Sequence, residues 1–168
     1  MKTLELSAQV LTASAFVPYG EVIECSRVPN VPMNEARFDR FDNLCSIDVG
    51  ADGEVAVGIA RSSVKTSLPH RIETVERHPL GTQAFIPLSR QCFVVVVAPP
   101  GSEFEPGELR AFHTNGRQGI NYWRGTWHMP LIALGENESF LVIDRSGHQS
   151  NTDIREIPIP VILNALLP

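Results

Sequence analysis

Little in this chain points to a covalent scaffold, a membrane span or a nucleic-acid surface. Its three cysteines, Cys25, Cys45 and Cys92, stand far apart, and no Cys-x-x-Cys pair occurs. An odd, scattered set excludes a disulfide framework or a zinc knuckle as the organising feature. Cys92 opens the apolar run Cys92-Phe93-Val94-Val95-Val96-Val97-Ala98 and is expected to pack as a small hydrophobe. No apolar run reaches the roughly 18 residues of a spanning helix. The start, Met1-Lys2-Thr3-Leu4-Glu5-Leu6, has no continuous apolar stretch, so no signal peptide is expected and the reading is of a reduced, soluble, cytoplasmic protein. The 14 basic residues form no dense cluster against 19 acidic ones, which argues against a nucleic-acid partner. The net charge of −5 does no more than favour solubility. Repeats, linkers and low-complexity tracts are missing too. One domain over residues 1–168 is the simplest expectation. A chain of this length hides roughly 70% of its unfolded surface on folding.

What the chain does have is short apolar runs separated by turn residues. Strands are expected at 44–49, 55–62, 72–77, 82–87, 92–98, 111–114, 119–122, 126–134 and 139–144. Such spacing predicts an all-β sandwich or barrel. Asn115-Gly116 reads as a hairpin turn between 111–114 and 119–122. Thr12 is expected to cap a short helix ended by Pro18 and Gly20. Residues 27–43, polar and holding Pro29 and Pro32, read as a solvated loop; the alternative reading is that one arginine reaches into the barrel mouth. The tail 160–167 reads as a helical turn or an apolar arm. Its exposed apolar side chains would be costly, so burial in a dimer is favoured over packing on its own core.

Two segments carry the chemistry. Side chains of a strand alternate faces, so Ile72, Thr74, Glu76 and His78 are expected on one face. After the Pro79–Gly81 turn, Gln83, Phe85 and Pro87 share a face, and on the later segment Thr126, His128 and Pro130 do. A carboxylate, two imidazoles and an amide would then converge. That mixed oxygen and nitrogen set, with no thiolate, suits a borderline divalent ion such as nickel or zinc. An ion with open positions polarises a hydroxyl or carboxylate of a small substrate. A buried His–Glu hydrogen bond without metal gives the same pattern, so both readings stand. Arg61 and Arg145 are candidate carboxylate anchors. Each is equally readable otherwise: Arg61 as a surface residue, Arg145 as an ion-pair partner of Asp144. Tyr122 is either core or a hydroxyl donor to substrate. Trp123 and Trp127 read as core aromatics, His70 and His113 as surface or turn residues, and His148 as a loop residue.

At these residues the chain resembles the ureidoglycolate lyase family. The segments that carry the resemblance are 76–88 (ERHPLGTQAFIPL), 94–98 (VVVVA), 110–112 (RAF), 118–122 (QGINY), 125–131 (GTWHMPL) and 140–147 (FLVIDRSG), with 15–23 (AFVPYGEVI) near the start. The resemblance implies a cupin-like barrel of the jelly-roll type with short peripheral helices, a homodimer, and a place in allantoin breakdown. It sets Glu76, His78 and Gln83 on the first cupin half-motif and His128 on the second. Two of these four differ from the common cupin ligands. The implied reaction is (S)-ureidoglycolate to glyoxylate and urea, which needs a base, an acid and a carboxylate anchor. On this reading Glu76 or His128 takes the hydroxyl proton and His78 or a bound divalent ion fixes the oxygen. Gln83, Tyr122 and an arginine, Arg61 ahead of Arg145, bind substrate. No organic cofactor, nucleic acid or membrane is implied. Three rivals stay open: an amidohydrolase on the same substrate, an iron-type cupin oxygenase, and a non-catalytic sensor of small acids.

Overall fold

The computed structural model describes residues 3–25 and 28–166. Eight strands come first: β1 (Leu4–Leu6), β2 (Ala8–Val10), β3 (Gly20–Ile23), β4 (Val31–Met33), β5 (Phe38–Arg40), β6 (Glu54–Arg61), β7 (His70–Arg77) and β8 (Gln83–Pro87). Seven follow: β9 (Phe93–Ala98), β10 (Arg110–His113), β11 (Gly119–Tyr122), β12 (Trp127–His128), β13 (Ile132–Ala133), β14 (Ser139–Ser146) and β15 (Asp153–Leu163). Helix α1 (Ala13–Phe16) and a 3-10 turn at Pro106–Glu108 are peripheral. Thr12 caps α1, its Oγ1 accepting from the Ala15 N–H, as its residue type and position lead one to expect.

One large sheet runs β1-β15-β7-β12-β9-β10-β2, with β13 also on β9. The second runs β3-β11-β8-β14-β6. Together they make a cupin-like β-barrel. The apolar run in β9 explains the layering. Phe93, Val95 and Val97 point inward to Phe16, Phe112, Ile120, Tyr122 and Phe140. Val94, Val96 and Ala98 point outward to a second core holding Val75, Leu109 and Trp127. Both faces are covered, so the strand is apolar throughout instead of alternating. Each such valine contributes on the order of 1.5–3 kcal/mol by leaving water.

Several expectations are corrected. Residues 44–49 form no strand, because side chains take their backbone groups. Glu21 accepts from Ser46 N, Thr82 Oγ1 accepts from Asp48 N, and Arg145 donates to Val49 O. These bonds from residues distant in sequence replace a ladder. Asn115-Gly116 makes a turn, with Gly116 at φ 82°, but not a hairpin. β10 pairs with β9 and β2, whereas β11 pairs with β3 and β8 in the other sheet. The turn therefore carries the chain between sheets. The tail is strand, not helix or dimer arm. β15 pairs with β7 and β1, and Val161 and Leu163 are fully buried in the chain's own core. Leu167 and Arg27, which belonged to two of these expectations, lie outside the described residues. Within 28–43 the chain forms the β4–β5 hairpin, turned by Asn34, Glu35 and Ala36 in left-handed conformation. Cys92 is exposed and not packed, although all three cysteines are free as expected. Trp123 is only half-buried. Ile72 joins the outer core beside Val75 and does not share a face with Glu76. The β15 register breaks there, between Glu156 and Val161.

Candidate functional site

The fold brings Glu76, His78 and His128 together at one end of the barrel. Glu76 on β7 is the register partner of His128 on β12. His128 in turn pairs with Val97, an inward residue of β9. His78 follows the last residue of β7. One candidate ligand atom from each residue lies within 4.8 Å of the others. His128 Nε2 stands 3.5 Å from Glu76 Oε1, and the two imidazole centroids are 5.1 Å apart. Side-chain exposure is 2% at His128 and 26% at Glu76, so the site is dry on one side and open on the other.

Backbone carbonyls set both histidines. His78 Nδ1 lies 2.7 Å from Asn151 O, and His128 Nδ1 lies 2.9 Å from Thr126 O. A carbonyl only accepts, so each Nδ1 carries the proton. In the neutral ring each Nε2 is then a bare lone pair. Both Nε2 atoms are buried without a hydrogen-bond partner among the described residues. The contact with His128 holds the Glu76 carboxyl below its ordinary value of 4.5. Burial opposes this, and the positive forms of His128 and His78 assist. At 3.5 Å that contact becomes a charge-assisted bond only when His128 is also protonated at Nε2.

Tyr122 stacks on His128, with centroids 4.3 Å apart and planes at 17°. Its hydroxyl is buried and unpartnered among the described residues. Burial, and then the Glu76 charge, push its pKa well above the ordinary 10. It is therefore a neutral phenol that can donate but not act as base. Gln83 is the register partner of Tyr122, and its Nε2 donates to Asp144 Oδ2 at 3.5 Å. So Gln83 stands beside Tyr122 and spends its amide nitrogen on Asp144.

The two candidate anchors are placed elsewhere. Arg145 Nε donates to Val49 O on the outer side of its sheet. Arg61 Nε donates to Ser139 Oγ at the far end of β14, about 16 Å along the strand from Asp144. His70, His113 and His148 stand apart from the cluster. Sequence reasoning missed Asn151, whose backbone oxygen orients His78 and whose Oδ1 accepts from Leu80 N at 2.7 Å. A backbone carbonyl leaves no residue-type signal. It also missed Asp144, which the period-two face of Phe140 and Val142 would have revealed.

The family model for ureidoglycolate lyase matches residues 3–164. The chain belongs to the ureidoglycolate lyase family. The match spans β1 through β15 and includes every residue of the triad. The ureidoglycolate lyase of Burkholderia mallei is 45% identical over 159 residues, 94% of this chain and 91% of the relative. That of Pseudomonas aeruginosa is 44% identical over 153 residues, 91% of this chain and 89% of its own. The Azotobacter vinelandii protein of that name is 43% identical over 151 residues, 88% of this chain and 89% of its own. In this ureidoglycolate lyase family member the donor set suits a divalent ion. It offers two unpartnered imidazole nitrogens and a carboxylate, and both rings are oriented from behind by a hydrogen bond. A carbonyl hydrogen-bonded to the far nitrogen of a histidine holds its ring in the orientation a metal ligand needs.

Proposed function

We propose that this chain cleaves (S)-ureidoglycolate into glyoxylate and urea, the activity named by its family and relatives. The observation that carries the reading is the convergence of Glu76, His78 and His128, with both Nε2 atoms lacking a hydrogen-bond partner among the described residues. The hydroxyl proton leaves as the C–N bond breaks, its electrons go to nitrogen, and that nitrogen is protonated to give urea. No water enters the products, so the site needs a base and an acid but no activated hydroxide.

Glu76 supplies the base. Its Oε1 faces His128, and its Oε2 has no hydrogen-bond partner among the described residues. With its pKa lowered it is ionised near neutral pH. Tyr122, a buried neutral phenol, donates a hydrogen bond to the departing nitrogen, which takes up the proton that Glu76 removed from the hydroxyl. His78 and His128, whose Nε2 atoms are acceptors, hold the substrate through its O–H or N–H hydrogens or through an ion bound between them. Glu76, His78 and His128, with Gln83 as a fourth candidate, would hold a divalent ion such as nickel or zinc. When bound, that ion supplies positive charge to polarise the substrate oxygen and offset the substrate carboxylate. Arg61 and Arg145 would reach the carboxylate only by leaving their present partners.

The family match over residues 3–164 supports one domain. Among the described residues no helix is long and apolar enough to cross a membrane. We place the protein in the cytoplasm, in allantoin (purine) breakdown. A homodimer fits the outer face of β6, an edge strand. Val55, Val57 and Ile59 stand 56–67% exposed there, side by side on one face.

Substitution tests the site. Folded Glu76→Ala and His128→Ala proteins are expected to lose about 10²–10⁴-fold in kcat/KM. Near-wild-type activity in both would contradict the assignment.

A further inference from the structure

We propose that Asp144, steadied by Gln83, is the subsite that takes the ureido group of the substrate. The inference rests on the reading that this barrel binds ureidoglycolate. It adds a residue to which no role has been assigned.

Register fixes the position. Ile143 pairs with Ala84, so one step further Asp144 stands beside Gln83. Gln83 pairs with Tyr122, and Tyr122 stacks on His128. Asp144, Gln83, Tyr122 and His128 thus form a row across the inner walls of the barrel. The facing agrees. Phe140 lies in the inner core, and Val142 and Asp144 follow it at period two. Arg145, the neighbour in sequence, turns to the other face and bonds Val49 O. Two strand spacings separate Asp144 from Tyr122, about 10 Å between backbones. Side chains from both ends close that gap to the length of a small substrate lying along the row.

Charge and satisfaction give the chemistry. Asp144 is half-buried. Among the described residues no cation lies within ion-pair reach of it. Its one side-chain partner is the Gln83 amide at 3.5 Å, a long contact. An ionised carboxylate has about four acceptor sites, so most of its capacity is unused. A partly desolvated carboxylate without partners is costly, and a ligand that brings donors relieves that cost. A ureido group brings three N–H donors. Two of them, one on each nitrogen, point the same way from the edge opposite its carbonyl. That pair meets a carboxylate two-pronged, as a guanidinium does. The Gln83 Oε1, without a hydrogen-bond partner among the described residues, can accept the third. The bond to be broken then lies beside Tyr122, and the opposite end of the substrate, with its hydroxyl and carboxylate, lies at the triad. The same negative charge disfavours a second carboxylate at this end and selects ureidoglycolate over dicarboxylic acids.

The test is calorimetric binding of two unreactive ligands to the protein as purified, and again with nickel or zinc added. N-carbamoylglycine keeps the ureido group and carboxylate but lacks the hydroxyl. Glycolate keeps the hydroxyl and carboxylate but lacks the ureido group. Asp144→Asn is expected to weaken N-carbamoylglycine about ten- to hundredfold, the usual effect of losing charge-assisted hydrogen bonds. It should leave glycolate within about twofold, which also shows that the variant is folded. Gln83→Ala should move N-carbamoylglycine in the same direction by less. Unchanged N-carbamoylglycine binding in Asp144→Asn would overturn the proposal. So would equal loss of both ligands, or wild-type protein that does not bind N-carbamoylglycine. Wild-type protein that binds it in this Asp144-dependent way, yet releases no urea from ureidoglycolate, would overturn the lyase reading and leave the subsite standing.

Discussion

Replacing Tyr122 by Phe should make the protein more stable and less active at once. The hydroxyl is buried and has no partner among the described residues. A buried hydroxyl in that state costs about 1–3 kcal/mol relative to one that is satisfied or removed. The ring itself keeps its stack on His128 at 4.3 Å and its contacts with Phe16 and Phe85, both at 6.3 Å between centroids. No cavity larger than one oxygen forms, so the cavity penalty is small. The expected net effect is a gain of about 1 kcal/mol or more, which raises Tm by roughly 2–4 °C per kcal/mol at this chain length. The pH dependence should change too. The pKa of Tyr122 lies above its ordinary 10 in the folded protein. The folded state therefore holds the proton after the unfolded state has lost it. Stability contributed in this way is full below pH 10 and declines as pH rises through the folded pKa. Tyr122→Phe removes that decline. Activity should fall about 10²-fold in kcat, because a donor aimed at the leaving nitrogen acts in the transition state. Thermal unfolding by circular dichroism, repeated from neutral to alkaline pH, and a steady-state assay give the readouts. A variant that is less stable than wild type, or one within twofold of wild-type kcat, would refute the reasoning.

Glu76→Gln should flatten the acid limb of stability. The native carboxyl is held below 4.5 by His128, so its contribution is present above that value and is lost as pH falls through the folded pKa. Denaturant unfolding at stepped pH checks this, and an unchanged acid slope would show that the pair does not couple. Val57→Lys, at the centre of the exposed β6 stripe where Val57 is 67% exposed, should shift a dimer to monomer in sedimentation without unfolding it. A variant that stays dimeric would move the interface off β6.

Much of the barrel was legible because its strands obey local rules. The β9 run is apolar on both faces because two cores sandwich it, and a continuous apolar run says so. Glu76, His78 and His128 converge because period-two alternation and a one-residue step past β7 put them inward. What failed was non-local. Asn115-Gly116 has the chemistry of a hairpin turn, but turn chemistry fixes the bend and not the partner strand. The pairing went instead to β8 and β9. The tail 160–167 read as a helical turn or an apolar arm. Its strand instead enters through a register break between Glu156 and Val161 that takes in Pro158 and Pro160, and proline is tolerated at such irregularities. Residues 44–49 look like a strand, yet the side chains of Glu21, Thr82 and Arg145 take its backbone groups. No local pattern announces those partners. Within the site, the missing knowledge was of the same kind: the anchor on His78 is the backbone oxygen of a residue 73 positions away.

The most direct test of the account is a product assay on racemic ureidoglycolate, with urea, glyoxylate and ammonia measured in parallel. The account predicts urea and glyoxylate in equal amounts from one enantiomer, and no ammonia. Ammonia release in step with turnover would contradict it and assign the barrel to hydrolysis of the ureido group.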